Sequence, residues 1–252
     1  MLNLGCGSRF HPAWINLNFS STGSGVIPYN LKHPLPFKKN TFDVVYHSHL
    51  LEHFSKYYAK IFMKECFQVT KPGGIIRVVV PDFEQIAILY LDLLKGALRG
   101  DKEAQNRYNW IQLELFDQMV RTKSGGEMFE YWKQNPMPAE DFVIERCGSE
   151  VLNALKYLRN PANALEINGD GNNMNEEHDL MKITQFRMIG EIHQWMYDRY
   201  SLMILLENSG FNDVKVCKAD ESSIPDFNSF LLDIEPNGSV RRPESLFMEA
   251  RK

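Results

Sequence analysis

The sequence lacks any cysteine pairing. Cys6, Cys66, Cys147 and Cys217 lie far apart with no CxxC spacing, which excludes a paired-cysteine zinc motif and points to a reduced, cytoplasmic setting. Long apolar runs are also missing. The longest, Ile86 to Leu94, is broken by Asp92 and falls well short of the roughly 20 residues needed to span a bilayer, and no basic-then-apolar leader opens the chain. Nor is there an excess of positive charge: 28 Lys and Arg stand against 32 Asp and Glu, for a net charge of −4. With no basic patch besides, nucleic acid is not an expected partner.

What is present is an ordinary globular composition, 44% hydrophobic and 24% charged over 252 residues, enough for one sizeable core. Short strands are expected at Met1 to Leu4, Trp14 to Leu17, Val26 to Leu31, Phe42 to His47 and Gly74 to Val80, with a helix at Tyr57 to Val69. This alternation predicts an α/β fold with a parallel sheet. From Phe83 onward the apolar spacing becomes three and four, which predicts helices at Phe83 to Leu98, Gln105 to Val120 and Glu140 to Leu158. The stretch Asn160 to Asp179 is rich in Asn, Gly, Asp and Glu and reads as a loop. A helix at Arg199 to Ser209, capped by Asp198 and ended by Gly210, and strands at Asp213 to Lys218 and Ser245 to Ala250 resume the α/β pattern. The expected organisation is therefore a core of residues 1–85 and 193–252 interrupted by a helical insertion, 86–192.

In LNLGCGS an apolar strand runs into Gly5 and Gly7, residues that let the backbone turn sharply and come close to a ligand. The third glycine of a dinucleotide GxGxxG loop is missing, since Phe10 holds its place, so pyrophosphate binding is disfavoured. The segments WINLN, LPFKKNTFDVVYHSHLLEH and VTKPGGIIRVVVPD follow in order. Together these blocks resemble the class I S-adenosylmethionine-dependent methyltransferases of the type 11-like kind, most closely a bacterial branch with a clipped start. HQWMYDRYSLMILLENSGF and ESLFMEARK resemble the last helix and closing strand of the same family.

That resemblance implies a Rossmann-like, seven-stranded, mainly parallel sheet with S-adenosylmethionine as cofactor; no metal is expected, because no HxxE or HxH pairing is completed by a second cluster. It places Gly5, Cys6 and Gly7 at the methionine part, Asn18 at the ribose hydroxyls, Asn30 and Leu31 beside the adenine, and Asn3 and Ser48 at the cofactor. Asn3, Asn18 and Asn30 stand where relatives often carry carboxylates. An amide has one acceptor oxygen where a carboxylate has two, so a weakened cofactor site on a non-catalytic binding protein is the competing reading.

Methyl transfer to a hydroxyl needs a base, and His47, His49, Glu52 and His53 cluster at a strand end, where α/β sheets place ligands. His49 is the expected base. His193 opens the segment that rejoins the core and is a second candidate, while Tyr108, Trp110, Phe116, Tyr131 and Trp132 of the insertion form either a lid over the acceptor or its own core. A small-molecule or saccharide-like acceptor is expected.

Overall fold

β-branched runs form strands, and stretches with an apolar face form helices. The computed structural model describes residues 1–163 and 176–252. Strands β1 (Leu2–Leu4), β2 (Ile15–Asn18), β3 (Val26–Pro28), β4 (Phe42–Ser48), β5 (Thr70–Pro81), β6 (Asn212–Cys217) and β7 (Ser245–Arg251) form one sheet in the order β3-β2-β1-β4-β5-β7-β6. The pairs among β1 to β5 are parallel, and β7 runs antiparallel to both of its neighbours. This is the seven-stranded, mainly parallel sheet that the sequence predicts.

The chain divides into two compact units. The first holds Met1–Glu84, Gln194–Val240 and Ser245–Lys252. One face of its sheet packs on α1 (Lys56–Val69) and on the helix Arg199–Ser209, through Leu2, Leu4, Val45, Phe62, Met63, Ile76, Leu202 and Leu206. Ser55 caps α1 by accepting from the Tyr58 N–H, and the helix at Arg199 starts with a reciprocal capping box between Asp198 and Ser201. Gly210, at φ +109°, ends it in the left-handed conformation that costs glycine little.

The other face has no helix from the β1–β2 connection, which is only a run of turns. It is covered instead by Trp14 and by residues 219–234, including Ile224, Phe227 and Leu232. Arg77 of β5 fastens that segment. Its guanidinium pairs with Asp233 at 2.7 Å and Glu249 at 2.9 Å and donates to the carbonyls of Lys218, Ala219 and Glu221, while the Tyr46 hydroxyl donates to Asp233 at 2.5 Å. All four side chains of this network are buried, and every guanidinium nitrogen is used, which is what makes a buried cation tolerable.

The second unit holds Gln85–His193 and Arg241–Glu244. It contains most of α2 (Phe83–Leu98), then α3 (Lys102–Val120), α4 (Gly126–Trp132), α5 (Glu140–Cys147), α6 (Ser149–Leu158) and α7 (Glu176–Met188); the helix at Arg199–Ser209 is α8. The single helix expected over Glu140 to Leu158 is two, because Gly148 sits at φ +56° with no Cβ to clash with the Arg241 carbonyl oxygen. Helix α4 is an addition to the expected elements. The loop expected over Asn160 to Asp179 falls largely outside the described residues, and α7 already begins at Glu176.

This unit builds its core from Trp110, Tyr131, Phe142, Val143, Val151 and Leu155, with Trp110 and Trp132 stacked at 6.1 Å. Glu114 takes a hydrogen bond from Trp110 Nε1 at 3.1 Å and pairs with Arg146. Arg241–Glu244 joins through the Ser149 N–H to Arg241 carbonyl bond, 3.1 Å, and through the Arg242–Glu150 ion pair, 2.8 Å.

Candidate active site

The glycine loop leaves β1 and hangs from the end of β2. The N–H groups of Gly5 and Cys6 both donate to the Leu17 carbonyl, at 2.8 and 3.2 Å. Gly5 and Gly7 have φ of +65° and +52°, positions where a side chain is strained. At Gly5 a Cβ would come within 2.8 Å of Leu50, so the loop is also closely packed; at Gly7 it would meet nothing within 4 Å. The loop thus presents an open side at Gly7.

Asn18, at the end of β2, closes this loop. Its Oδ1 accepts from the Gly7 N–H at 3.3 Å and its Nδ2 donates to the Ser20 carbonyl at 3.0 Å. Asn3 is fully buried. Its Nδ2 donates to the Arg9 carbonyl and to Asn16 Oδ1, whereas its own Oδ1 has no hydrogen-bond partner among the described residues. Asn30 accepts from the Lys32 N–H at 3.0 Å, a local turn bond. Leu31 is in the main core and lines a pocket with His33, Leu35, Tyr58, Ile61 and Glu65. Burial pushes the Cys6 thiol up to about 11, so it stays protonated at neutral pH. Asn3, Gly5, Cys6, Gly7 and Asn18 are brought together; Ser48 lies two strands away from β2, at the end of β4 in register with Val79.

The exit of β4 is built differently. His49 has φ +49°, a left-handed conformation uncommon for a residue with a side chain, and its N–H donates to the Val79 carbonyl at 2.9 Å. Both ring nitrogens are engaged: Nε2 lies 2.8 Å from Ser245 Oγ, and Nδ1 lies 3.4 Å from Glu52 Oε1. Glu52, within the single 3-10 turn Leu51–His53, is fully buried. Its carbonyl accepts from the N–H groups of Gln194 and Trp195, and Gln194 Nε2 donates to the His53 carbonyl at 2.9 Å, so the segment entering α8 is strapped onto this turn. Lys56 stands over the Trp195 ring at 4.5 Å.

Tyr197 follows in that segment, buried, with no hydrogen-bond partner for its hydroxyl among the described residues; burial and the nearby Glu52 push its phenol well up. His47, in β4 two residues before His49, faces Phe62 in the main core, and burial holds its imidazole down to about 3. It is neutral and structural. His193 belongs to the second unit, where it is buried and donates its N–H to the Gln118 carbonyl at 2.9 Å. Of the insertion's aromatics, Trp110 and Tyr131 are buried and Trp132 packs with them in that unit's own core, while Phe116 is exposed. Ser245 is the residue that sequence reasoning passes over. Its only signal is that it opens the closing strand, and the pairing of that strand with β5 is what brings it to His49.

Among the described residues no helix is long and apolar enough to cross a membrane. Residues 2–78 match the family model of the methyltransferase domain. No curated protein matches the chain. Solved structures similar to it include an S-adenosylmethionine-dependent methyltransferase from Archaeoglobus fulgidus, 12% identical, covering 100% of this chain and 85% of that one with a TM-score of 0.41. One from Mesorhizobium loti is 13% identical and covers 100% and 89%, with a TM-score of 0.39. A third, from Thermotoga maritima and described as a possible histamine N-methyltransferase, is 12% identical and covers 100% and 81%, with a TM-score of 0.40. The family match lies on the glycine loop and the first five strands, and the sheet that contains them runs in the order β3-β2-β1-β4-β5-β7-β6.

Proposed function

We propose that this chain is a class I methyltransferase dependent on S-adenosylmethionine, which methylates a hydroxyl or similar nucleophile of a small or saccharide-like acceptor, with His49 as the base. The observation that carries this reading is the imidazole at the exit of β4, with Nε2 2.8 Å from Ser245 Oγ and Nδ1 3.4 Å from the buried Glu52 carboxylate. A thiolate or an amine lone pair needs no such group, whereas a hydroxyl must lose a proton. S-adenosylmethionine supplies a methyl carbon already activated by its sulfonium, so the protein's task is to hold the acceptor and receive that proton.

The residues present suit the cofactor. The open side of Gly7, the orphaned and buried Asn3 Oδ1 and the Asn18 amide at the loop's edge offer space and polar contacts of the kind an amino acid and a ribose require. Cys6 with Gly5, Asn30 with Leu31, and Ser48 complete the proposed cofactor set. His193 is kept as a second candidate for the acceptor side. The helical unit is assigned to acceptor choice, since the chain enters it from the carboxyl end of β5, the end of the strands at which open α/β sheets bind ligands.

The test is incubation with S-adenosylmethionine and a panel of a hexose, a hexosamine, a nucleotide sugar, an amine and a thiol, with S-adenosylhomocysteine release as readout. Release that requires a hydroxyl acceptor and is lost in His49→Asn supports the proposal. Release with the amine or thiol alone refutes the hydroxyl assignment.

A second reading is favoured by Asn18, whose amide oxygen and nitrogen are both used within the loop. It makes the chain a methyltransferase-fold binding protein with a degenerate cofactor site. Isothermal titration with S-adenosylhomocysteine separates the two, because no binding at high micromolar concentration fits only the second.

A further inference from the structure

Glu52, His49 and Ser245 form a line: carboxylate oxygen to Nδ1 at 3.4 Å, and Nε2 to hydroxyl oxygen at 2.8 Å. The first two lie three residues apart, but Ser245 is 196 positions further along the chain. The sheet joins them. His49 is bonded to the carbonyl of Val79, and β5 then runs beside β7 with Pro81 opposite Ser245. Three separate contacts therefore hold His49 in its left-handed conformation, which without them would be unfavourable.

The arrangement has a chemical consequence. A neutral imidazole has one N–H and one lone pair, and the nitrogen that faces a buried carboxylate is the one that keeps the proton. A proton on Nδ1, the nitrogen 3.4 Å from Glu52 Oε1, leaves the lone pair on Nε2, 2.8 Å from the Ser245 hydroxyl oxygen. Ser245 Oγ occupies the hydrogen-bonding position on Nε2 that a directly deprotonated acceptor oxygen would need.

We propose that Ser245 is the proton relay of the methyl transfer, standing between the acceptor hydroxyl and His49, with Glu52 as the positioning residue that fixes the ring. This rests on the assignment of His49 as the base. As the acceptor oxygen bonds to the methyl carbon, its proton passes to Ser245 Oγ, and the proton of Ser245 passes to His49 Nε2. The positive charge lost when the sulfonium becomes a thioether reappears on the imidazolium, beside the Glu52 carboxylate, so charge and atoms balance. The same geometry makes Ser245 an activated nucleophile toward a small electrophile.

The test uses the full chain with two readouts that need no acceptor. In ¹⁵N-histidine NMR, the His49 signal, identified by its loss in His49→Asn, is expected to show the Nδ1–H tautomer. Methanesulfonyl fluoride is expected to modify Ser245: the Oγ–S bond forms, fluoride leaves, and the hydroxyl proton goes to Nε2. Peptide mass spectrometry should locate the group on Ser245, at a rate at least tenfold lower in His49→Asn and in Glu52→Gln. An Nε2–H tautomer, or folded protein in which Ser245 stays unmodified, overturns the relay. Titration with S-adenosylhomocysteine is run beside both; if the wild type does not bind it, the methyltransferase assignment fails while the tautomer and the labelling still report on the line of three residues.

Discussion

Arg77 and Asp233 meet at 2.7 Å with neither side chain open to solvent, and they join the middle of the sheet to the segment that covers its second face. Removing the charge of one partner leaves the other buried with less compensation. Asp233→Asn is expected to destabilise the protein by about 3–5 kcal/mol, the usual cost of breaking a buried pair. Urea unfolding followed by tryptophan fluorescence checks it, and a midpoint equal to that of the wild type would show that Glu249 alone suffices for Arg77.

Gly148 separates α5 from α6 at φ +56° and ψ −130°, and a Cβ there would lie 2.5 Å from the Arg241 carbonyl oxygen. Gly148→Ala is therefore strained twice. The backbone conformation alone is worth about 1–3 kcal/mol. Differential scanning calorimetry should show a lowered melting temperature, and a change within error would contradict the backbone conformation.

Two buried groups give opposite pH dependences. His47 has its value lowered by burial from 6.5 to about 3, so its stabilising contribution is complete above pH 6.5 and is lost as pH falls toward 3. Glu244 has its value raised by burial from 4.5 to about 7, so its contribution is complete below pH 4.5 and is lost as pH rises through 7. Each contributes a slope of about 1.4 kcal/mol per pH unit within its window. Stability measured against pH should lose its acid-side fall in His47→Leu and become steeper on that side in Glu244→Gln. Unchanged curves would mean that neither group is buried as described.

Asn18 holds Gly7 through the single acceptor oxygen of its amide. Asn18→Asp keeps that bond and adds a second, charged acceptor for ribose hydroxyls, at the loss of the donor to Ser20. Binding of S-adenosylhomocysteine should tighten by about 3–10-fold, as one added charge-assisted bond would give. Weaker binding by calorimetry would remove Asn18 from the ribose.

Cys6 has its thiol raised from 9.0 to about 11 by burial. At pH 8 its thiolate fraction is therefore about a hundredfold below that of an unperturbed cysteine of this reference value. Iodoacetamide with peptide mapping should label Cys217, which is half-exposed, well before Cys6. Equal rates would place Cys6 outside the packed loop.

The sheet was legible because its strands carry their own signals: β-branched runs in Phe42–Ser48 and Thr70–Pro81, and a cap and a stop at Asp198 and Gly210 around α8. The helical unit was less so. Helix α4 has seven residues and begins at Gly126, too short for its period to stand out, and the break at Gly148 depends on contact with Arg241, more than ninety positions away. The glycine loop could be read directly, since strand, glycines and Asn18 are near neighbours in sequence. The partners of His49 could be read only in part: Glu52 lies within the same motif, whereas Ser245 becomes its neighbour only through strand pairing.

The stretch Arg241–Glu244 belongs with the helices although the residues on either side of it belong with the sheet. The polypeptide therefore passes between the two units four times, at 84/85, 193/194, 240/241 and 244/245. A helical cassette from another enzyme could not be exchanged here by cutting at two points. It would have to bring its own four-residue tether, or keep Arg242 supplied with a carboxylate in place of Glu150, and the residue that follows the tether is Ser245 itself. Exchange of the helical unit would then be inseparable from changes at the closing strand.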